Sequence, residues 1–417
     1  MHPIFLLLAV FFIFMSDPAR AGFDFDRRVS AEELECETLF EKPCGINGPD
    51  RACVVQDSVV VVWEGGYNAE NGVLYADRSS DGGRAWGTDV TLIDQQRSIE
   101  PRAIAVSPND PATVVIAWVT YAGLGVSLFL DFSYDWMRTF AYPKADLRAA
   151  NGVANTAAAD IAIGNMDTLV VVFARRDTLW AKFSTLTDPS AWSDSVELYR
   201  SVNVMEHVDI EAGADGTYGV VWREKVGGRG VIRALTFEHS MTASMHTEPL
   251  RADLAGHRRW PIQIVEREAI NTFAVSDDST LDYAHPTIRS LPSESGSPGA
   301  WWVAFHEKRG RIFLDRRSAA PIGEWGMDIP LEAPNVDMPA LALAQEGGVE
   351  FVIVAYRQWE SITMVDVAEL DGELVWTDRE SVSAGHSADR VHGHAAIILN
   401  ENPLQFGVVY TPINHNG

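Results

Sequence analysis

Seven hydrophobic runs in this chain each lead into an aromatic residue, and they recur at a nearly constant spacing. The gaps between successive aromatic residues are 55, 55, 49, 83, 51 and 54 residues. A recurring unit of about 50 residues is the signature of a repeat architecture. The seven aromatic residues, called the column aromatics below, are Trp63, Trp118, Phe173, Trp222, Phe305, Tyr356 and Tyr410.

Each unit repeats the same internal order of short β-branched segments and turns. A short inner strand comes first, then a turn, then the strand with the column aromatic, then two alternating segments. Four strands per unit predict an all-β fold, a β-propeller of four-stranded blades. Seven blades are expected, with six or eight as alternatives, and a tandem of β-sandwiches is the competing architecture. In the 83-residue gap, Trp260–Val265 and Asn271–Val275 resemble a compressed inner pair, which is either a shortened eighth unit or an insertion.

The first residues of the chain carry the pattern of a secretory leader. Ile4–Met15 is apolar and too short for a membrane span, and Ala19-Arg20-Ala21 follows it as a cleavage pattern. We therefore predict a signal peptide over 1–21 and a secreted or periplasmic protein with no transmembrane segment in the mature chain. Residues 22–50 are predicted to close the ring, with Phe23–Val29 as the closing strand, and 51–417 form the propeller.

Composition narrows the set of partners. The hydrophobic content of 47% supplies a large core, and the net charge of −25 argues against nucleic acid and anionic membranes. An anionic ligand would need a local arginine cluster. Cys36 and Cys44 are the expected disulfide pair, with Cys53 as a small buried residue.

No metal or other cofactor is expected, because neither an EF-hand-like spacing nor a His-Glu-x-x-His motif occurs. His386, His392 and His394 lie near Asp389, and His392 and His394 would share one side of a regular strand. Loop histidines near the propeller mouth are the alternative interpretation. The protein is expected to be a monomer.

A turn pattern links the repeat to a known family. Ser79-Ser80-Asp81-Gly82-Gly83-Arg84-Ala85-Trp86 matches Ser-x-Asp-x-Gly-x-x-Trp, the Asp box of sialidases and related propellers, and residues 133–140 form a degraded copy. In this pattern the aspartate accepts hydrogen bonds from nearby backbone N–H groups, and the glycine allows positive φ. The chain thus resembles the sialidase-like propellers, in which this box is structural and not catalytic.

The resemblance also implies site residues. Arg51 and Arg223 match arginines of the triad that binds the sialic acid carboxylate. Tyr283 matches the nucleophilic tyrosine and Glu206 its glutamate partner, and Glu70 stands where the acid would be. The sequence departs from the family where Gly66-Tyr67 replaces an arginine and where no third triad arginine is found in 256–281. Packing for Tyr283 and ordinary ion pairs or solvent exposure for Arg223 and Arg357 are the structural alternatives.

The repeat register adds candidates independently of any family. Residues directly after the column aromatics should surround one face of a propeller, and they are Glu64, Val119, Ala174, Arg223, His306, Arg357 and Thr411. Inner-strand starts should gather near the same opening, and they include Arg51, Arg102, Glu206, His285 and Arg390. Several arginines among a few acids suit bidentate binding of a carboxylate.

The leading hypothesis is an exported sialidase-like propeller that binds a terminal sialic acid or related acidic sugar on glycans. If active, it is an exo-α-sialidase-like glycoside hydrolase with Tyr283, Glu206 and Glu70 as catalytic residues and Arg51, Arg223, Arg357, His306 and Glu64 as substrate-binding residues. The alternatives are a non-catalytic propeller that binds glycans or proteins, and another carbohydrate-active enzyme on the same scaffold, because a fold does not determine a function.

Overall fold

The structure is a computed structural model of the 417-residue chain. It describes residues 9–14, 23–28, 52–55, 58–68, 71–81, 85–88, 90–95, 98–107, 109–110, 112–122, 125–139, 141–146, 158–164, 167–189, 192–213, 216–238, 273–276, 281–291, 300–308, 310–317, 325, 328–331, 335–346, 349–358, 362–371, 373–381, 390–401 and 404–413.

The regular elements of the described residues are β-strands, numbered here in chain order. They are β1 (Ala9–Phe14), β2 (Phe23–Arg28), β3 (Ala52–Val55), β4 (Ser58–Asn68), β5 (Asn71–Ser79), β6 (Val90–Gln95), β7 (Ser98–Val106), β8 (Val114–Ala122), β9 (Gly125–Ser133), β10 (Ala141–Asp146), β11 (Ala158–Ile163), β12 (Thr168–Arg175), β13 (Thr178–Thr185), β14 (Val196–Arg200), β15 (Met205–Ala212), β16 (Thr217–Val226), β17 (Arg229–Glu238), β18 (Phe273–Ala274), β19 (Tyr283–Ser290), β20 (Trp301–Glu307), β21 (Arg311–Arg317), β22 (Ile329–Leu331), β23 (Val336–Glu346), β24 (Val349–Gln358), β25 (Ile362–Asp371), β26 (Glu373–Ser381), β27 (Arg390–Glu401) and β28 (Leu404–Ile413).

These strands form seven four-stranded antiparallel sheets, and the predicted all-β propeller is confirmed. Blades 1 to 6 take four consecutive strands each, from β3–β6 to β23–β26, and the closing blade has the order β27, β28, β1, β2. The first strands of successive blades contact one another around a closed ring, including β27 with β3. The described residues therefore contain seven blades, which was the expected number.

The column aromatics lie on the second strand of each blade. Trp63, Trp118, Trp222, Phe305 and Tyr356 are fully buried. In three blades the aromatic stacks on its neighbour in the third strand, with ring centroids 6.0 Å apart for Trp63–Tyr75, 4.5 Å for Trp118–Phe129 and 5.7 Å for Phe305–Phe313. Such cross-strand aromatic pairs are a main source of sheet stability.

The hydrophobic core lies between the blades. Each cluster combines side chains of two adjacent sheets, as where Val171 of blade 3 packs with Val115 of blade 2. Buried carboxylates join the first strands as well. Asp160 accepts a hydrogen bond from the Ile210 N–H of the next blade at 2.8 Å, and Asp209 accepts one from Ile288 N–H at 2.7 Å. These contacts set the relative positions of blades 3, 4 and 5.

The irregular 83-residue gap does not hold an inner strand pair that ends at Phe273. Phe273–Ala274 is β18, the fourth strand of blade 4, and it pairs with β17. The strands of blade 4 are thus separated by residues 239–272, which lie outside the described residues together with Trp260–Val265. Since β18 completes blade 4, Phe273 needs no eighth unit to explain it.

The closing blade combines the two ends of the chain. Ala9–Phe14 pairs with β28 in a continuous antiparallel register from Ala9↔Tyr410 to Phe14↔Gln405, and Phe23–Arg28 pairs with Ala9–Phe14. Residues of the expected closing segment therefore form the outermost strand of this blade. Its third strand lies inside the stretch predicted to be a signal peptide.

Two turns between third and fourth strands share one hydrogen-bond pattern. Asp81 Oδ1 accepts from Ser79 Oγ at 2.7 Å and from Ala85 N–H at 2.8 Å. Asp135 Oδ1 accepts from Ser133 Oγ at 3.0 Å and from Thr139 N–H at 2.8 Å. The spacing along the chain is identical, so the degraded copy keeps the turn that the Ser-x-Asp pattern predicts.

In the second turn, Trp136 and Met137 occupy the places of Gly82 and Gly83, and they have φ values of +57° and +62°. Glycine adopts this conformation without steric cost.

Two further expectations concern the remainder of the chain. Cys36 and Cys44 lie outside the described residues, whereas Cys53 is in β3. Within the described ranges, no helix has the length and apolarity of a membrane span.

Candidate functional site

A register shift near the start of the first strand occurs in five blades, and in blades 4, 5 and 6 it coincides with a non-glycine residue of positive φ. The pairing register shifts between Glu206 and Val208, between Ala284 and Thr287, and between Asp337 and Ala340. At each shift a non-glycine residue takes a left-handed conformation, with φ of +50° at His207, +46° at His285 and +51° at Met338. Such residues cost about 1–3 kcal/mol each and occur preferentially at functional sites. The same strained position in three consecutive blades makes the starts of their first strands the candidate site.

The residues next to the bulges form three equivalent cross-strand pairs. Glu206 pairs with Arg223, Ala284 with His306, and Asp337 with Arg357. The partner on the second strand is in each case the residue directly after the column aromatic. Two ion pairs therefore flank a histidine whose own cross-strand partner is an alanine. We call this group the rim site: Glu206, His207, Arg223, Asp282, His285, His306, Asp337 and Arg357.

Three imidazoles lie at the centre of the rim site. The ring centroids of His207 and His285 are 4.3 Å apart with planes at 50°. His285 stacks on His306 at 5.1 Å with planes at 12°. His306 is 5% exposed, and its Nδ1 has no hydrogen-bond partner among the described residues. Buried polar atoms are usually hydrogen-bonded, so this nitrogen is an exception within the rim site.

The surroundings keep His285 and His306 neutral. Burial is the main cause that lowers the pKa of His306 to about 4, and the positive charges of Arg357 and Arg223 act in the same direction, while Asp337 opposes them. Burial also lowers the pKa of His285 well below its usual value, helped by His207, His306 and the same two arginines. A neutral imidazole has one N–H donor and one nitrogen acceptor. At neutral pH, His285 and His306 therefore provide both kinds of hydrogen-bonding atom.

Arg223 is the most enclosed charge of the rim site. Its guanidinium binds the Glu206 carboxylate through Nη1 and Asp282 Oδ1 at 2.8 Å through Nη2, and its Nε donates to the backbone oxygen of Tyr283 at 2.6 Å. The side chain is 5% exposed. Because Asp282 and Tyr283 belong to the start of blade 5, Arg223 connects blade 4 to blade 5.

Two lysines extend this network towards solvent. Lys225 Nζ lies 3.4 Å from Glu206 Oε1, and Lys308 Nζ lies 2.9 Å from Asp282 Oδ2. Burial raises the pKa of Asp282, but hydrogen bonds from Lys308, from the Gly230 N–H and from Arg223 outweigh it and lower the pKa to about 2. Asp282 is therefore ionised at neutral pH.

Arg357 is held by one carboxylate in a bidentate geometry. Its Nε lies 2.7 Å from Asp337 Oδ1 and its Nη2 lies 2.5 Å from Asp337 Oδ2. The side chain is 15% exposed. With Lys225 and Lys308 included, four cations face three carboxylates here, so the local charge balance is positive in a chain of net charge −25.

The structure brings together five of the residues singled out from the sequence, which are Glu206, Arg223, His285, His306 and Arg357. Tyr283 is next to them by its backbone only. Its ring is 1% exposed and packs edge-on against Phe305 and Phe313, with centroids 5.2 and 5.8 Å away. A nucleophile must reach its substrate, and this ring points into the core between blades 4 and 5.

The remaining candidates contribute less to the site. Arg51 and Glu70 lie outside the described residues, and Glu64 is described by its backbone, which pairs with Leu74. The catalytic and binding roles of these residues stay predictions.

His392 and His394 were expected on one side of a regular strand, but the register of β27 shifts between Val391 and His394, so the alternation is interrupted. His386 and Asp389 lie outside the described ranges. No group of three or more His, Cys, Asp or Glu that could hold a metal ion occurs among the described residues.

Sequence reasoning did not single out His207, Asp282 or Asp337. Aligning the inner-strand starts would have found two of them, because Glu206-His207, Ala284-His285 and Asp337-Met338 occupy the same place in three blades. Asp282 is different, since it reaches Arg223 across a blade boundary and 59 residues of sequence.

Comparison with known proteins supports the fold. No family model and no curated protein matches the chain. The solved structure of an ulvan lyase, described as a new family of polysaccharide lyase and bound to -[GlcA(1-4)Rha3S]-, is 11% identical with a TM-score of 0.51, and the match covers 88% of this chain and 93% of that one.

Two other solved structures are more distant in shape. They are an α-L-arabinanase of Penicillium chrysogenum (14% identity, 89% and 98% of the chains, TM-score 0.41) and a fucose-specific lectin from Aleuria aurantia (9%, 78% and 90%, 0.43). At 11% identity the likeness to the ulvan lyase concerns the fold alone.

Proposed function

We propose that this protein is an exported β-propeller that binds an acidic sugar of a glycan at the rim site. The observation that carries the proposal is the stack of neutral imidazoles between two ion-paired arginines. Nδ1 of His306 has no hydrogen-bond partner among the described residues, and the ring centroids of His285 and His306 are 5.1 Å apart. Sugar hydroxyls donate and accept hydrogen bonds, and the neutral imidazoles offer the complementary atoms.

The charge of the rim site favours an acidic sugar. Lys225 and Lys308 are 45% and 50% exposed and stand at the solvent side of the network, and Arg357 lies near His306. A local positive field concentrates anionic ligands even in an acidic protein. The ulvan lyase that shares the fold is bound to a repeat that contains glucuronic acid, so uronate-containing glycans are suitable first ligands beside sialylated ones.

Sialidase-type hydrolysis is the finer form of the proposal, and the geometry supports it less than binding. Tyr283 is enclosed by phenylalanine rings, and the carboxylate of Glu206, its expected partner, is bound to Arg223 and Lys225. Activating a tyrosine requires an adjacent base. We therefore assign glycan binding to the rim site. A hydrolysis assay on Tyr283→Phe tests whether Tyr283 is a nucleophile.

The decisive experiment is a glycan array followed by calorimetric titration of the best ligand. The array should include sialylated, uronate-containing and neutral glycans. We expect binding of acidic glycans, and an affinity at least about tenfold lower for His306→Phe and Arg357→Gln, because each variant removes a hydrogen-bonding group worth about 1.5 kcal/mol or more.

Arg138→Gln is the matched control, because Arg138 is exposed in the turn of blade 2 at the other end of the strands. Lack of binding to every glycan would refute the proposal. Equal affinities for the two rim variants and the control would place the ligand elsewhere.

Export is the second part of the proposal. Removal of a signal peptide conflicts with the closing blade, which uses a strand from the same stretch of chain. Cleavage after Ala21 would remove β1, which lies between β28 and β2. Intact mass measurement of the exported protein tests this directly. A mass that starts at Gly22 supports the leader, and the mass of the uncleaved chain supports β1 as a permanent strand.

A further inference from the structure

A cavity opens on blade 3, and three of its six lining residues are arginines. The cavity of about 310 Å³ is lined by Arg175, Arg176, Asp177, Thr178, Trp180 and Arg200. Arg200 is bound to Glu197, with Nε 3.0 Å from Oε1 and Nη2 2.5 Å from Oε2. Arg175 and Arg176 are both exposed, and no carboxylate of the described residues pairs with either. Three arginines therefore meet two carboxylates, Asp177 and Glu197, beside one tryptophan, which leaves a net local charge of +1 in a chain of net charge −25.

The backbone at Arg176 is unfavourable for an arginine. Arg176 and Asp177 form the two-residue loop of the β12–β13 hairpin, and Arg176 has φ of +58°. The corresponding hairpin of blade 4 uses Gly227 and Gly228, with φ of +58° and +86°. Glycine or asparagine is the favoured residue in such loops, and a non-glycine residue there is strained. An arginine at this place is therefore better explained by its side chain than by the turn.

The β-sheet register places the basic groups in a row. Arg175 pairs with Thr178, and Thr178 pairs with Arg200. Directly opposite residues lie about 5 Å apart on one face of a sheet, so the two arginines are spaced about 10 Å apart across Thr178. Trp180 lies two residues along the same strand and therefore on the same face. An aromatic ring beside a row of cations matches a sugar ring that carries an anionic group.

The hairpin that lines the cavity is hydrogen-bonded through its backbone to the segment that leads into the rim site, although Trp180 packs on the side of blade 3 that faces blade 2. The N–H of Met205 donates to the backbone oxygen of Arg176 at 2.7 Å, and the N–H of Ser201 donates to that of Asp177 at 2.8 Å. Met205 directly precedes Glu206 and His207. The hairpin that carries Arg175 and Arg176 is thus fastened to the segment that carries the first residues of the rim site.

We propose that this cavity is a second subsite for an acidic oligosaccharide whose first sugar occupies the rim site. The cavity binds the carboxylate or sulfate ester of the neighbouring sugar. Arg175 and Arg176 bind the anionic group, and Trp180 packs against the sugar ring. This inference rests on the proposed glycan-binding function. It extends that function from a single terminal sugar to a chain of at least two sugars that crosses from blade 4 to blade 3.

The test uses the full chain and the double variant R175A/R176G. Glycine suits the positive φ of Arg176, so the variant is expected to keep the hairpin. Calorimetric titrations use chondroitin sulfate tetrasaccharide, desulfated chondroitin tetrasaccharide, and the methyl glycosides of glucuronic acid and N-acetylneuraminic acid. We expect at least about tenfold weaker binding of a tetrasaccharide, because two charge-assisted hydrogen bonds are lost, and unchanged binding of the monosaccharides.

The tetrasaccharides distinguish the anionic groups. A loss restricted to the sulfated probe identifies the sulfate ester, and an equal loss for both probes identifies the carboxylate. R229A is the matched control, because Arg229 is an exposed arginine of the corresponding hairpin of blade 4 and does not line the cavity. R229A should leave the affinities for both tetrasaccharides unchanged.

Several results would overturn the second subsite. They are parental affinity of R175A/R176G for the tetrasaccharides, an equal loss in R229A, and no binding of tetrasaccharides by a parent protein that binds a monosaccharide. Failure of the proposed function looks different, because monosaccharide binding would then be absent or insensitive to His306→Phe.

Discussion

Arg223 and Arg357 occupy the same place in two blades, yet they have different surroundings. Each directly follows a column aromatic, and each is paired across the sheet with an acid next to a bulge, Glu206 and Asp337 respectively. Arg223 is also bound by Asp282 and by the backbone of Tyr283, and it is 5% exposed, whereas Arg357 is 15% exposed. The repeat determines the position of a residue, and the neighbouring blade determines what that residue does there.

The comparison assigns the two arginines different roles. Arg223 neutralises two carboxylates and joins blade 4 to blade 5, so we regard it as a positioning residue. Arg357 has one bidentate partner at the more exposed end of the rim site, and we include it in the proposed sugar-binding group. The predictions below test this division, and they begin with the largest expected effect.

Substituting the two arginines should have unequal effects on stability. Arg223→Met leaves Glu206 and Asp282 without their shared cation, so we expect a loss of about 3–5 kcal/mol in the free energy of unfolding. Arg357→Met removes a more exposed pair and should cost about 1–2 kcal/mol. Urea unfolding of both variants measures this difference. Equal losses would show that the two positions do not differ as proposed.

The pH dependence of stability should report the buried histidine between them. The pKa of His306 is lowered to about 4 in the folded chain, below the value near 6.5 of an unfolded chain. The unfolded chain therefore binds more protons between these values, and up to about 3 kcal/mol of stability is lost as the pH falls from 6.5 to 4.

His306→Gln should remove this contribution. Unfolding curves of the parent and the variant at matched pH values measure it, because titrating groups that do not interact with His306 cancel in the difference, and the altered titration of His285 is then the remaining contribution. Parallel curves for the two proteins between pH 6.5 and 4 would contradict the assignment.

The tight space around Arg223 offers a third test. A Cβ atom at Gly230 would lie 2.1 Å from Arg223 Nε and 2.1 Å from the Tyr283 backbone oxygen. Gly230→Ala should therefore displace this hydrogen bond and cost about 1–3 kcal/mol. The same substitution combined with Arg223→Met is the control. We expect the cost to fall there in part, because the clash with Arg223 is removed while the clash with the Tyr283 backbone oxygen remains, and an additive result would argue for a different cause.

The smallest effect is expected at Tyr283. Tyr283→Phe keeps the ring against Phe305 and Phe313, so thermal unfolding should show a loss of about 1 kcal/mol or less. Glycan binding should be unchanged. In an assay with a fluorogenic sialoside, any hydrolysis should also survive the substitution. Loss of hydrolysis in a folded variant would restore the nucleophile role predicted from the sequence.

The elements that were predictable from sequence are those with short-range or repeating causes. Alternation and β-branched runs predicted the strands, the spacing of the column aromatics predicted seven blades, and the Ser-x-Asp pattern predicted the turn at Asp81, because its hydrogen bonds span only a few residues. The register also placed Glu206, Arg223, His306 and Arg357 on one face, as the structure shows.

The blade boundaries were harder to predict where the spacing of about 50 residues is interrupted. Phe273 belongs to the fourth strand of blade 4 and was mistaken for the end of an inner pair. Two residues of strand carry too little periodicity to identify, and a long connection removes the spacing that located the other blades. Ala9–Phe14 shows the same difficulty, since an apolar run of that length fits both a leader and a strand.

The sequence by itself determined the class of fold and the place to look for a site, because side-chain alternation and repeat spacing are local properties of a chain. Only the tertiary structure decided which charged side chains are bound in ion pairs and which side chains are buried in the core. Arg223 is bound by a carboxylate from the next blade, Tyr283 turns its ring into the core, and the hairpin at Arg176 is hydrogen-bonded to the segment that leads into the rim site. These contacts join residues that are distant along the chain, and burial and neighbouring charge then determine their protonation and reach.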